Sequence, residues 1–179
     1  MRKFLIICAA LLQVFLLAFI GGQREYVLRT GKTIYLRTVP VDPRDFFRGD
    51  YVRLSYEISN IEKKYFRDGL QTEAKKEIKG TQVYVVLKVD GNDLASMVYV
   101  TDKKPAKGQL YIRGRYYYER YSWPPANVKY GIEAYFVEQG KGKELENMAS
   151  RNNLTAFDMK VALGSNGIAV LNGYRRMAK

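Results

Sequence analysis

From Phe4 to Ile20 the chain is apolar except at Gln13 and carries no charge, a run of seventeen residues. That length lies at the short end of what crosses a bilayer as a helix. A cleavable export signal has a shorter apolar core and ends in small residues at its cleavage site. Here the run ends Ala18-Phe19-Ile20-Gly21-Gly22, so residues 1–22 are expected to form an uncleaved anchor. Downstream the pattern changes from continuous to alternating. Val52, Leu54, Tyr56 and Ile58 fall on one side of an extended segment, with Tyr51, Arg53, Ser55 and Glu57 on the other, the period-two signature of a half-buried strand.

The same reading gives strands over Thr33–Val39, Thr81–Val89, Leu94–Thr101, Gln109–Glu119 and Val128–Gln139. Thr81–Val89 is apolar on both faces, as a central strand is. Asp90-Gly91 and Asn166-Gly167 supply hairpin turns, the second joining Val161–Leu163 to Ile168–Leu171. Gln23–Thr30 reads as a short linker. Ser59–Gly80, rich in mixed charge, reads as an exposed connection holding a short helix capped by Ser59 or Asn60. Gly140–Glu146 opens a second short helix. The expected fold is therefore mainly β: one transmembrane helix, then over 23–179 an antiparallel barrel- or sandwich-like domain of seven or eight strands with one or two short helices.

Composition narrows the chemistry. There is no histidine, which removes the commonest general base and metal ligand, and the one cysteine, Cys8, lies inside the apolar run. No cofactor, metal or catalytic residue is expected. Thirty Lys and Arg against eighteen acids give a net charge of +12, which raises an anionic lipid surface or wall polymer as a partner. Arg2 and Lys3 ahead of the apolar run favour an inside N-terminus, with the domain on the far side of the membrane. Tyr116–Tyr121 with Arg113, Arg115 and Arg120 has the composition of a nucleic-acid platform. On an exported domain that reading has no substrate, and a Tyr-rich contact strand is preferred.

The densest chemistry precedes the half-buried strand. Asp42, Arg44, Asp45 and Arg48 put four charges in seven residues, and Gly49 and Asp50 follow as a tight turn. Such charges either brace a loop by Asp–Arg pairing or form a docking surface. Gly49-Asp50-Tyr51-x-x-Leu54-x-Tyr56 resembles the defining motif of the GDYXXLXY family of small membrane-anchored bacterial proteins. The likeness extends through Thr38–Arg48, Gly80–Leu87 and Tyr130–Glu146. It implies a single-pass protein of the bacterial inner or plasma membrane, associated with polytopic membrane proteins, and no stated activity.

Within the motif, Leu54 and Tyr56 are read as core. The binding candidates are Asp42, Arg44, Asp45, Arg48, Gly49, Asp50, Tyr51, Tyr135 and Glu144. The leading reading is a non-enzymatic domain on the outer side of the membrane that docks on a polytopic membrane protein. The alternative is a peptidase-like hydrolase, using a Ser–Lys dyad in which Ser55 is the serine of interest, or a carboxylate pair.

Overall fold

The computed structural model describes residues 2–39, 51–70, 79–118, 126–136 and 157–176. Helix α1 (Arg2–Thr30) does not stop where the apolar run does. Gln23–Thr30, expected as a linker, continues it. Gln, Arg, Glu and Leu are good helix formers, the Glu25 carboxylate accepts from Arg29 Nε at 2.6 Å one turn on, and Thr30 Oγ1 donates to Tyr26 O. The helix is long and apolar enough to cross a membrane, as a single-pass anchor does.

It ends at Gly31, whose N–H donates to Val27 O at 2.8 Å. Strand β1 (Lys32–Val39) begins on the next residue. A Cβ at Gly31 would lie 2.5 Å from Val27 O and 3.1 Å from Leu163 O, so only glycine lets helix, strand and the neighbouring hairpin meet there.

Among the described residues there are ten strands, because two of the eight expected ones are broken. The segment that starts at Tyr51 divides at Leu54 into β2 (Tyr51–Arg53) and β3 (Ser55–Tyr56), which have different partners. Val128–Gln139 divides into β7 (Ala126–Lys129) and β8 (Ala134–Phe136) at Gly131, where φ is +80°. One buried face is not carried across that turn. Tyr130 and Ile132 are buried, whereas Ala134 and Phe136 are exposed.

The remaining strands are β4 (Lys79–Val89), β5 (Ala95–Thr101), β6 (Tyr111–Tyr118), β9 (Phe157–Leu163) and β10 (Ala169–Arg176). They form antiparallel sheets in the orders β10-β9-β1-β3 and β5-β4-β6-β7, with β2 and β8 as a separate two-stranded ribbon. The fold is mainly β, with the sheets closing part of a barrel.

Both predicted hairpins form. β4 returns as β5 through Asp90, whose Oδ1 accepts from the N–H groups of Asn92 and Leu94, and β9 returns as β10 around Asn166-Gly167. A register shift at Val86/Leu87 in β4 brings consecutive residues Val85, Val86 and Leu87 into the interior. The described part of the connection, residues 59–70, is less exposed than its charges imply. Ile61, Phe66 and Leu70 drop into the core, and in place of a helix capped at Ser59 or Asn60 there are single 3₁₀ turns at Glu57–Ser59 and Lys63–Tyr65.

One core has contributions from both four-stranded sheets, among them Ile34, Leu36, Val83, Val85, Ile112, Val128, Met159 and Val161. At its edge lies a buried charge. Asp158 in β9 accepts from Arg37 on β1 and from both Nε and Nη2 of Arg175 on β10 (3.1 Å each). Arg175 also donates to Asn92 O at the β4–β5 turn and lies 3.7 Å over the Tyr35 ring.

One carboxylate therefore ties three adjacent strands of one sheet to a turn of the other. Because removing one partner leaves charges desolvated, Asp158→Asn is expected to lower stability by about 1–3 kcal/mol. A drop in the thermal midpoint of the full chain in detergent measures this; an unchanged midpoint would show that the network is dispensable.

Candidate functional site

The motif segment 51–60 runs antiparallel to 126–136, and the two are joined at nearly every step. Tyr51 faces Phe136, Val52 faces Tyr135 and Arg53 faces Ala134. Leu54 N–H then donates to Glu133 O at 2.8 Å. Tyr56 OH donates to Ile132 O at 2.6 Å, and in the reverse sense Tyr130 OH donates to Ile58 O, also at 2.6 Å. The series ends at the bridge between Asn60 and Asn127.

The local sequence explains why this stretch is not a plain ladder. Gly131 takes the left-handed backbone conformation, and Glu133 closes the resulting turn by accepting from Tyr130 N–H and, at 2.9 Å, Gly131 N–H. Glu133 thus holds the turn with its side chain and the motif segment with its carbonyl. Val52, Leu54, Tyr56 and Ile58 are all buried, as the alternation predicts. Burial is the larger cause, and the nearby Glu133 carboxylate the smaller, of phenol pKa values raised well above the ordinary 10.0 at Tyr56 and Tyr130.

Of the proposed binding residues, Asp42, Arg44, Asp45, Arg48, Gly49, Asp50 and Glu144 lie outside the described residues. Tyr51 lies in β2, where its backbone pairs with that of Phe136. Tyr135 is half-buried, its ring edge-on to Tyr174 at 6.2 Å. Ser55 sits in β3 opposite Val39. The sequence reading did not single out Phe136, which it placed within one unbroken strand; it is 74% exposed.

Phe136, Tyr135 and Ile132 line a cleft of about 300 Å³ together with Ala169–Leu171 of β10 and Arg24 of the helix. The positive φ available at Gly131 was the one sequence signal of the break. Among the described residues no group of three His, Cys, Asp or Glu side chains is placed to hold a metal.

These features define a class: a small β domain fused without a linker to one membrane-length helix, its defining motif sewn to a turn in the second half of the chain. The chain belongs to the GDYXXLXY protein family, whose model matches residues 13–173. No curated protein and no solved structure matches it.

The two raised phenol values fix an alkaline response. Above pH about 10 the unfolded chain releases these protons while the folded chain keeps them. The unfolded state then binds fewer protons, and stability, fully present below that pH, falls as pH rises. Each tyrosine contributes a slope of about 1.4 kcal/mol per pH unit. Tyr56→Phe should remove one such share above pH 10 and cost about 1–2 kcal/mol at neutral pH through the orphaned Ile132 carbonyl. Unfolding midpoints measured from pH 8 to 11 test both effects; an unchanged alkaline slope would mean that Tyr56 titrates normally.

Proposed function

We propose that this protein is a non-enzymatic accessory subunit: α1 anchors it in the inner or plasma membrane, and its β domain docks on a polytopic membrane protein on the extracytoplasmic side. The docking edge comprises residues 42–51 with 135–146. The observation that carries the reading is the pairing of Tyr51 with Phe136 at one end of the β2–β8 ribbon. Residues 42–50 lead into Tyr51 and residues 137–146 follow Phe136, so the two stretches proposed from sequence meet the described fold at one place. An exposed phenylalanine stands there, and aromatic and Arg side chains are the usual anchors of protein contacts.

A second feature supports docking within the membrane plane. The helix passes into β1 through a single glycine, and the cleft beneath the ribbon includes Arg24 of the same helix. A domain on so short a junction stays near the bilayer, within reach of the loops of an integral protein and away from soluble ones. The side of the membrane rests on Arg2 and Lys3 flanking the apolar run.

Site-specific photocrosslinking in cells tests the proposal. A crosslinker replacing Phe136 should yield an adduct with one integral membrane protein, and one replacing Lys104 in the distant loop should not. Asp45→Ala or Arg48→Ala should abolish the Phe136 adduct without lowering the thermal midpoint. Adducts of equal yield from both positions, or variants that simply unfold, would reject the docking edge. A C-terminal reporter active only in the cytoplasm would reject the assigned side.

A further inference from the structure

A second concave surface carries an unbalanced charge. On the outer face of the β5-β4-β6-β7 sheet, Gln82, Arg115 and Lys129 stand in one row across β4, β6 and β7, because Gln82 pairs with Arg115 and Arg115 with Lys129. Arg113, two residues along β6, shares that face, since Ile112, Gly114 and Tyr116 turn inward. These residues, with Tyr117 and Glu133, line a cleft of about 460 Å³.

Like charges directly opposite on neighbouring strands are destabilising. Here Arg115 and Lys129 are such a pair, with Arg113 beside them. None of the three has a carboxylate partner among the described residues. Glu133, the acid in the cleft, is committed to the Tyr130 and Gly131 N–H groups.

Two of the three cations are also held in place. Arg115 Nη1 donates to Gly80 O at 3.2 Å, and Lys129 Nζ lies 5.1 Å over the Tyr117 ring. Packing alone gives no reason to gather three cations and orient two of them at a cost in stability; a bound anion does. Among the described lining residues, three cations against Glu133 leave two positive charges, which one carboxylate would leave half neutralised and a phosphate group or adjacent phosphates would match. Guanidinium pairs suit phosphate oxygens in particular.

We infer that the Arg113–Arg115–Lys129 cleft is a binding site for a phosphate-bearing ligand. The source is either a lipid headgroup or a soluble phosphate compound. The headgroup is within architectural reach: Arg113 N–H donates to Gly167 O in the β9–β10 turn, and Gly164 of that turn packs against Val27 in the last turns of the helix.

The test uses the full chain in phosphatidylcholine nanodiscs, titrated with inorganic tripolyphosphate by calorimetry. Saturable binding that weakens with added salt is expected. Arg113→Gln with Lys129→Gln should weaken it roughly tenfold or more, while Lys104→Gln with Lys107→Gln, an equal loss of charge in the exposed loop, should change it by less than about twofold. The first pair should melt at or above the wild-type temperature, since it relieves repulsion.

Should that pair melt lower, the charge-keeping pair Arg113→Lys with Lys129→Arg decides: retained binding supports the site, and lost binding with an intact fold rejects it. Nanodiscs containing phosphatidylglycerol separate the sources. Competition with tripolyphosphate assigns the site to headgroups, and its absence assigns it to soluble phosphate. No saturable binding, or equal losses in the cleft and loop variants, overturns the inference.

Discussion

Two buried hydroxyl groups, pointing in opposite directions between the same two segments, are the contact on which the rest of the domain's layout depends. Tyr56 reaches from the motif segment to Ile132, and Tyr130 reaches back to Ile58. All four groups lie in or against the core, where an unmet carbonyl or phenol costs more than the bond returns when made. The two segments therefore come together as a unit or not at all. This matters because the β2–β8 ribbon pairs over only three residues, and two-stranded ribbons of that size are marginal in water. Its persistence follows from the latch and from Leu54 N–H on Glu133 O, more than from its own ladder.

The latch also determines where the exposed surface falls. It holds residues 130–133 in the turn between β7 and β8, beyond which Phe136 is exposed and Tyr135 lies against Tyr174 of β10. β10 pairs with β9, β9 with β1, and β1 is fused to the helix. A chain of close contacts thus runs from the end of the motif to the membrane-length segment. Asp158 braces its middle by holding Arg37 and Arg175 from both neighbouring strands. The orientation of the ribbon relative to the helix is in this way a property of the core, with no flexible joint among its described parts.

Much of this was legible in the sequence wherever one local rule decided the outcome. The apolar run, the Asp90-Gly91 and Asn166-Gly167 hairpins and the burial of Leu54 and Tyr56 follow from length, turn chemistry and period. What failed were boundaries where two rules competed. Gln23–Thr30 lacks the apolar character of the anchor but retains helix-forming residues, and propensity prevailed. Val128–Gln139 alternates well enough to be one strand, yet Gly131 and Glu133 make a tighter turn. Ile61, Phe66 and Leu70 are spaced to no single period, because 3₁₀ turns and extended pieces bring each one inward separately. The partnership of the motif with Tyr130–Glu133 was invisible for a different reason: both stretches stood out in the sequence, but a side-chain bond between residues far apart in the chain leaves no local pattern.

The motif consequently divides along its length. Leu54 and Tyr56 are interior, and Tyr56 is half of the latch, so a change at either position acts through folding. Tyr51 is at the ribbon end, its backbone paired with that of Phe136. The basic cleft sharpens the contrast. Arg115 opposite Lys129 weakens the sheet that carries them, whereas the latch strengthens the turn beside it, and Glu133 belongs to both. Among the described residues the cleft's one carboxylate is held by two backbone N–H groups, and the three cations on the exposed face of the sheet are available to an external anion.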